Sequence, residues 1–423
     1  MTPEQIIATV IFLVAMTLII SEKVHRSVVA IVGAVVLMFT IMPFDTAIHH
    51  IDYNTLGVLC GMMLFVAVVK QSGVFEFLAV LCAKKALGNP WIIMVLFVLL
   101  TAVLSALLDN VTTVLLMGPM TIKVCDLLDI DPIPFFMAEI MASNIGGTAT
   151  LIGDPPNIMI GSAAGFTFAD FVAYDSPAVL IILVALLAVF YVMYGRKMHV
   201  EDENKARLME LEPFGQIKDE KLLYLSVGMV LLVVVGFMAH GALHVESCVI
   251  ALAAAGLILL ISRYPVEEAL LDVEWTTLSF FAGLFIIVGG LAETGVIEML
   301  AQALIDVTGG NVFITMLVLV FASAVISSFL DNIPFVAPLS PLLLAMEATG
   351  MDVTPLWWAV SLGACLGGNG TLIGASANVV LSDIAKKNGH TITFIDYLKT
   401  GFPIMVMSVV IAAIYLVFRF PPV

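Results

Sequence analysis

The sequence predicts an all-α polytopic membrane protein built as an inverted repeat. Of the 423 residues, 61% are hydrophobic and 12% are charged, whereas about 25% of an average soluble domain is charged. Apolar runs near the roughly 20 residues that cross a bilayer recur along the chain. This composition excludes a soluble globular protein and a disordered one. The net charge of −16 excludes nucleic acid as a partner, because a nucleic-acid binder needs a basic surface.

Twelve apolar runs predict the membrane helices, and one polar stretch divides them. The runs cover residues 6–21, 27–42, 55–69, 91–108, 135–145, 176–194, 222–238, 247–261, 277–291, 313–329, 355–366 and 402–418. Between 196 and 221 lie six Lys/Arg and seven Asp/Glu. We therefore expect a first membrane repeat over 1–195, a cytoplasmic linker over 196–221 and a second, inverted membrane repeat over 222–423.

The two halves are duplicated in sequence. At an offset of 222 residues, Asp109-Asn110 aligns with Asp331-Asn332. At an offset of 221, the segment 146–157 aligns with 367–378, and both read Gly-Gly-x-x-Thr-Leu-Ile-Gly-x-x-x-Asn. Leu and Val pair easily by chance in so apolar a chain, but Asp-Asn and a Gly/Thr/Asn pattern do not.

The charge distribution favours inversion. We expect each half to hold five transmembrane helices plus one re-entrant hairpin, with the hairpin tips at Asp109 and Asp331 and broken helices at the midplane. Five crossings are an odd number, so the second half is inverted. With the N-terminus outside, 16 of the 17 Lys/Arg are cytoplasmic and only Arg419 is outside, as the positive-inside rule requires. This predicts a multi-pass protein of the inner or plasma membrane.

The hairpin tips are the first candidate site. A carboxylate at membrane depth is costly and marks function by default, although Asp before a helix also suits a plain N-cap. Coupling ions, Na⁺ or H⁺, are expected at the tips, with sodium bound by acid and amide oxygens. The tip residues concerned are Asp109, Asn110, Thr112, Asp331 and Asn332.

The broken helices are the second candidate site. Glycine pairs and the Pro155-Pro156 pair interrupt apolar runs, and freed carbonyl and N–H groups there can bind ions or oxygen atoms. The plainer interpretation is a kink without a ligand. Asp154 aligns with Ala375, which gives one half an additional proton or cation site. The expected binding residues are Asn144, Gly146, Gly147, Thr148, Thr150, Asp154, Asn157, Gly367, Gly368, Asn369, Thr371, Ser376 and Asn378.

Other groups are not expected to form sites. No Lys or Arg lies in a tip or a break, so a fixed cation for an anionic substrate is expected to be missing. His49-His50 is interpreted as a solvated external loop and not as a metal centre. We expect no cofactor and no metal beyond a coupling Na⁺. The expected partners are membrane lipid and a small solute or ion.

The segments 144–157 and 366–378 resemble the ion transporter superfamily. Within it they are most similar to the branch of the melanosomal P protein and bacterial arsenical-pump membrane proteins, and more distantly to sodium/proton antiporters and divalent-anion/sodium symporters. The resemblance implies an inverted-repeat fold, a homodimer and elevator-type alternating access. In the symporter branch Ser-Asn-Thr at each tip binds sodium and a carboxylate. Here only Asn110 and Asn332 match that pattern.

The combined expectation is a secondary active transporter and not an enzyme. It would couple proton or sodium movement to a small oxygen-rich solute or anion such as arsenite. Two related alternatives are a sodium/proton antiporter and a citrate-like carboxylate/sodium symporter. Two unrelated alternatives are an intramembrane aspartyl protease, which would use the tip carboxylates but leave the duplicated breaks unexplained, and a passive channel.

Overall fold

The regular secondary structure of the first half is helical throughout. A computed structural model describes residues 1–21 and 23–422. The helices are α1 (Pro3–Ser21), α2 (Arg26–Thr40), α3 (Phe44–His49), α4 (Tyr53–Val69), α5 (Val74–Lys85), α6 (Pro90–Leu107), α7 (Asn110–Leu128), α8 (Ile133–Gly147), α9 (Pro155–Ala164), α10 (Phe168–Tyr174) and α11 (Ser176–Phe190).

A short linker helix, α12 (Asp202–Glu210), leads to a second half that is also helical. Its helices are α13 (Glu220–Leu243), α14 (Ser247–Ser262), α15 (Val266–Leu271), α16 (Trp275–Glu293), α17 (Val296–Thr308), α18 (Val312–Phe329), α19 (Asn332–Ala348), α20 (Thr354–Gly367), α21 (Ser376–Lys387) and α22 (Phe394–Arg419). Among the described residues, 9 helices are long and apolar enough to cross a membrane. The protein is therefore a polytopic helical membrane protein.

The helices of the two halves follow the same order. Shifted by 222 residues, α1 to α7 fall on α13 to α19, and shifted by 221, α8 and α9 fall on α20 and α21. At the end of the repeat, α22 runs continuously where the first half has α10 and α11. The duplicated sequence thus folds into duplicated elements.

Glycines join the halves through two close helix crossings. Helix α4 packs on α14, and α2 packs on α16. A Cβ atom on Gly61 would lie 2.7 Å from the carbonyl carbon of Ala251, and one on Gly283 would lie 2.6 Å from that of Ala30. Both crossings therefore bring backbone against backbone, which only a residue without a side chain permits.

Helices α6 and α7 double back on each other. The Asn204 side chain on α12 donates to the carbonyl of Leu128, the last residue of α7. A Cβ on Gly88, just before α6, would meet the neighbouring Lys205 at 2.8 Å. The outer ends of α6 and α7 therefore meet at α12, and Asp109 lies at the opposite, turning end. Helices α18 and α19 likewise both pack on α17.

Each broken helix lies against the first arm of its own helix pair. Helix α6 packs on α8, and α18 packs on α20. Matching serines fasten them, since Ser105 donates to the carbonyl of Ser143 at 2.6 Å and Ser327 to that of Ala364 at 2.7 Å. Each tip is thereby fixed next to a break.

Candidate functional site

Both tips and the first break line one cavity. Its volume is about 50 Å³, enough for a few water molecules or a small ion. Contributions from both halves enclose it, so neither half forms it alone. The lining residues are Arg26, Leu59, Met62, Met63, Asp109, Asn110, Val111, Ile152, Asp154, Pro155, Ile158, Glu274, Thr277, Asp331, Asn332, Ile333 and Ser376.

Asp109 caps the helix that follows it. Its carboxylate accepts the backbone N–H of Thr112 at 2.7 Å and the Thr112 hydroxyl at 2.5 Å. The capping interpretation therefore holds at this tip, and the Thr112 hydroxyl points at Asp109 rather than at the cavity. Asp109 nevertheless lines the cavity, so its charge acts on whatever binds there.

Asp331 is different, although its sequence context is the same. Its side chain makes no capping bond. Instead, Arg26 Nη1 donates to its Oδ2 at 2.6 Å, and the Ser376 hydroxyl donates to the same oxygen at 3.2 Å. Arg26 also lies 3.2 Å from the Ser376 oxygen. The expectation that a fixed cation is missing is therefore wrong, because the first turn of α2 brings a guanidinium to the second tip.

Four asparagines connect the first tip to both breaks. Asn144 donates to the side-chain oxygens of Asn369 and Asn378, each at 2.9 Å. Its own oxygen accepts from Asn110 at 3.2 Å. Asn144, Asn369 and Asn378 are fully buried. Both N–H groups of the Asn144 amide are therefore used as donors. The network connects the two halves through buried hydrogen bonds.

The second tip contacts the first break through Asp154. The amide of Asn332 donates to both carboxylate oxygens of Asp154, at 3.0 and 3.2 Å. Asp154 is 1% exposed. The predicted additional acid of the first half thus lies between the two tips, where it can hold a proton or a cation.

Side-chain amides donate hydrogen bonds to backbone carbonyls at the two breaks. Asn157 donates to the carbonyls of Thr148 and Thr150 at 3.2 and 3.0 Å, and its counterpart Asn378 donates to those of Gly368 and Thr371 at 2.7 and 2.9 Å. Four of the carbonyls at the breaks therefore already accept hydrogen bonds from a side chain of the same break.

The hydroxyls of the breaks are also used structurally. Thr148 donates to the carbonyl of Asn144 at 2.7 Å, and Thr150 donates to that of Ala106 at 2.5 Å. Thr371 donates to the carbonyl of Ser328. These threonines lie beside the cavity and hold its walls, whereas Asp109, Asn110, Asp154, Asp331, Asn332 and Ser376 line it.

The glycines of the breaks allow close packing. A Cβ on Gly146 would lie 2.3 Å from the Ala102 carbonyl oxygen, and one on Gly367 would lie 2.6 Å from the corresponding oxygen of Ala324. Gly147 and Gly368 similarly approach the carbonyls of Gly153 and Gly374. They shape the site rather than supply ligands.

The chain is similar to known proteins in both sequence and fold. Residues 16–363 match the family described as citrate transporter. The chain belongs to the citrate transporter family. This membership, within the ion transporter superfamily, confirms the resemblance found in the two break motifs.

Relatives of this citrate transporter family member include bacterial and human proteins. It is 45% identical to a protein described as an uncharacterized transporter of Mycobacterium tuberculosis, covering 98% of both chains. It is 32% identical to the P protein of Homo sapiens, covering 97% of this chain and 59% of that protein. The crystal structure of the Alcanivorax borkumensis YdaH transporter has a TM-score of 0.60 at 13% identity over 99% of each chain. That likeness shows the fold alone.

In this family member, the sequence did not predict several polar residues that line the cavity or are buried elsewhere in the protein. Arg26, Glu274 and Thr277 line the cavity from helix ends. No local sequence signal connects any of them with a tip, and Arg26 is 305 residues from Asp331. Glu139 and Asp175 are 1% and 0% exposed. Glu139 lies inside a predicted apolar run, so the rule on intramembrane acids could have found it.

The His49-His50 pair of this family member is not a loop. His49 ends helix α3, and His50 Nε2 lies 3.0 Å from Glu293 Oε1. Among residues 1–21 and 23–422, no group of three or more His, Cys, Asp or Glu side chains could hold a metal ion. The interpretation of His49-His50 as a solvated loop is therefore corrected to a helix end with an ion-pair partner.

Proposed function

We propose that this protein is a secondary active transporter in which a proton or sodium ion drives a small oxygen-rich solute or anion, such as arsenite, through the shared cavity. The cavity between the tips carries the proposal. It joins both duplicated turns, the first break and Ser376 of the second break, and its polar groups come from both halves. Transporters of inverted-repeat folds bind substrate and ions in this way, at half-helix ends near the midplane.

The charge of the cavity supports a coupling cation. Four acids line it, Asp109, Asp154, Glu274 and Asp331, against one base, Arg26. Among the described residues, Asp109, Asp154 and Glu274 make no ion pair. A buried carboxylate without a compensating charge costs several kcal/mol unless a cation or proton neutralises it. Asp109, Asp154 and Asp331 are the proposed coupling residues, with Asn110 and Asn332 as additional sodium ligands.

Arg26 gives these acids a way to couple to an anion. While Asp331 is charged, it occupies the guanidinium at 2.6 Å. A proton or Na⁺ on Asp331 releases Arg26, which can then bind a carboxylate or oxyanion with charge-assisted hydrogen bonds. Coupling-ion binding and anion binding thus favour each other.

Two alternatives each have a supporting observation. The excess of acids over bases favours a sodium/proton antiporter, in which the cations are the only cargo. The family description, together with the guanidinium of Arg26, favours a citrate-like carboxylate/sodium symporter. The experiment below separates all three.

For the architecture, we propose two inverted membrane repeats, 1–195 and 222–423, joined by a cytoplasmic linker. Helices α6 to α9 and α18 to α21 would move as one body past a static scaffold of α1, α2, α4, α13, α14 and α16. We further propose a homodimer in the inner or plasma membrane that needs no cofactor. The backbone crossings at Gly61 and Gly283 support a rigid scaffold.

The deciding experiment is uptake by purified protein in proteoliposomes. Labelled arsenite, citrate and sodium are offered in turn, under an imposed proton gradient or an imposed sodium gradient. Solute accumulation above equilibrium that stops in Asp331→Asn supports the proposal and identifies the cargo. Gradient-independent flux at channel rates, or cleavage of a transmembrane peptide, would reject coupled transport.

A further inference from the structure

A buried polar chain outside the cavity ends at Asp175. The Ser361 oxygen lies 2.6 Å from Asp175 Oδ2 and 2.8 Å from the Asn157 side-chain oxygen. All three residues are fully buried. Although Asp175 is the N-cap residue of α11, its side chain makes no capping bond. Helix capping therefore does not explain this acid, which turns inward to α20.

The number of protons available to these three side chains determines the charge of Asp175. The Asn157 nitrogen donates to the carbonyls of Thr148 and Thr150, so its oxygen faces Ser361 and can only accept. Ser361 carries one hydroxyl proton for two short oxygen–oxygen contacts. If Asp175 were ionised, one of these contacts would bring lone pairs together without a proton. A proton on Asp175 Oδ2 satisfies both contacts.

The surroundings also favour the neutral acid. Asp175 Oδ1 is buried and has no hydrogen-bond partner among the described residues, a costly position for an ionised oxygen. Several titratable side chains interact electrostatically with Asp175 or with its immediate neighbours. They are Cys365 on α20, Tyr174 beside Asp175, and Tyr415 and Arg419 on α22.

Among residues 1–21 and 23–422, no positively charged side chain forms an ion pair with Asp175. The Arg419 guanidinium stacks on the Tyr174 ring at 4.5 Å. Arg419 makes no ion pair within the described part of the chain. Helix α8, which packs on α11, contributes the acid Glu139 and not a base. Glu139 accepts the Thr121 hydroxyl at 2.5 Å. An ionised Asp175 would thus be left without a compensating partner.

The second half has no equivalent acid. At an offset of 226 residues, the N-capping pairs Thr167/Asp170 and Thr393/Asp396 align, and Asp175 then aligns with Gly401. Asp154 likewise aligns with Ala375. Asp175 contacts the first break through Ser361 and Asn157, and Cys365 Sγ also lies 3.4 Å from the Asn157 oxygen.

We propose that Asp175 is a proton-binding site whose neutral form positions Asn157 and thereby the first break. In this state the acid donates to Ser361 and Ser361 donates to Asn157. When the proton leaves to water, the Ser361 hydroxyl turns to the carboxylate, and Asn157 loses that donor. The use of this switch in coupling rests on the proposed function, but the proton site itself does not.

Infrared spectroscopy of the full chain in lipid vesicles tests the proton directly. The carbonyl stretch of a protonated carboxylic acid, sensitive to deuterium, should lose one component in Asp175→Asn. In Ser361→Ala that component should shift, because the acid has lost its acceptor. Asp396→Asn is the matched control and should leave the band unchanged, since Asp396 is exposed and binds Lys399. An intact band in Asp175→Asn would overturn the proposal.

Hydrogen–deuterium exchange over residues 147–157 tests the positioning role. Corrected for intrinsic rates, exchange in the wild type should rise at alkaline pH. That rise should vanish in Asp175→Asn, whose amide reproduces the neutral acid, and exchange should be high at every pH in Asp175→Ala. The same alkaline rise in Asp175→Asn would refute the switch. Neither readout needs a transported solute, so failed uptake with these results intact would reject only the proposed function.

Discussion

Arg26 and Asp331 are 305 residues apart in sequence, yet Nη1 of one lies 2.6 Å from Oδ2 of the other. The pair joins the first turn of α2 to the turn before α19. Their side chains are 29% and 18% exposed, so water screens the pair and its contribution to stability is small. Its importance lies in where it is: across the boundary between the proposed scaffold and the proposed moving body.

Arg26→Gln should therefore impair binding more than folding. For an anionic cargo, we expect KM to rise about 10- to 150-fold, since a charge-assisted hydrogen bond contributes roughly 1.5–3 kcal/mol. Uptake kinetics in proteoliposomes measure this. Lys23→Gln is the matched control. This substitution removes the same positive charge close by in the sequence, at a residue that does not line the cavity. Equal kinetics in the two variants would mean that Arg26 does not contact the cargo.

Asp109 allows its charge to be separated from its capping bond. Asn caps helices about as well as Asp, so Asp109→Asn should keep wild-type thermal stability and abolish gradient-driven transport. Asp109→Ala should in addition lose about 1 kcal/mol of stability. Melting curves and uptake are measured on the same preparations. Normal coupled uptake by Asp109→Asn would leave Asp109 as a cap only.

These two acids show what the sequence can and cannot predict. The duplicated Asp-Asn pattern predicted two helix turns at the right residues, because apolar length and turn residues are local signals. It could not predict that Asp109 caps its helix while Asp331 binds Arg26. That difference depends on a third helix, α2, whose approach is a tertiary contact without a local signature. The break glycines were predictable, whereas the asparagine network among them was not.

Gly146 provides a test of packing at the first break. A methyl group there would lie 2.3 Å from the backbone oxygen of Ala102, which cannot rotate away. Gly146→Ala should cost about 1–3 kcal/mol by overpacking. Gly256→Ala is the control, since nothing lies within 4 Å of a Cβ at that helical position. A thermal-shift assay in detergent would contradict the packing if the two variants melted together.

The inversion can be tested with one pair of equivalent positions. Asp126 and Ala348 are both exposed, near the ends of α7 and α19, and are related by the offset of 222. In sealed right-side-out vesicles, an impermeant thiol reagent should label Ala348→Cys and not Asp126→Cys. Permeabilised vesicles should label both. Labelling of both, or of neither, in sealed vesicles would indicate parallel repeats.

The rigid-body motion has a test at another polar contact across the same boundary. Asn54 on α4 lies 3.4 Å from the Ser162 oxygen on α9 and 3.2 Å from the Ser247 oxygen on α14. Asn54→Cys can therefore be cross-linked either to the proposed moving body or within the proposed scaffold. Cys248 is first replaced by Ser. Its backbone N–H donates to the Asn54 side chain, so its thiol would compete for a cysteine placed at position 54.

Oxidation of Asn54→Cys/Ser162→Cys should stop transport by fixing one position of the moving body, and reduction should restore it. Asn54→Cys/Ser247→Cys should cross-link and leave transport unchanged, because both residues lie within the scaffold. The shared cysteine makes the two variants directly comparable. Full transport by a completely cross-linked Asn54→Cys/Ser162→Cys protein would exclude sliding at α4 and α9. Alternating access would then have to come from opening of the tips at Asp109 or Asp331 while the rest of the protein stays in place.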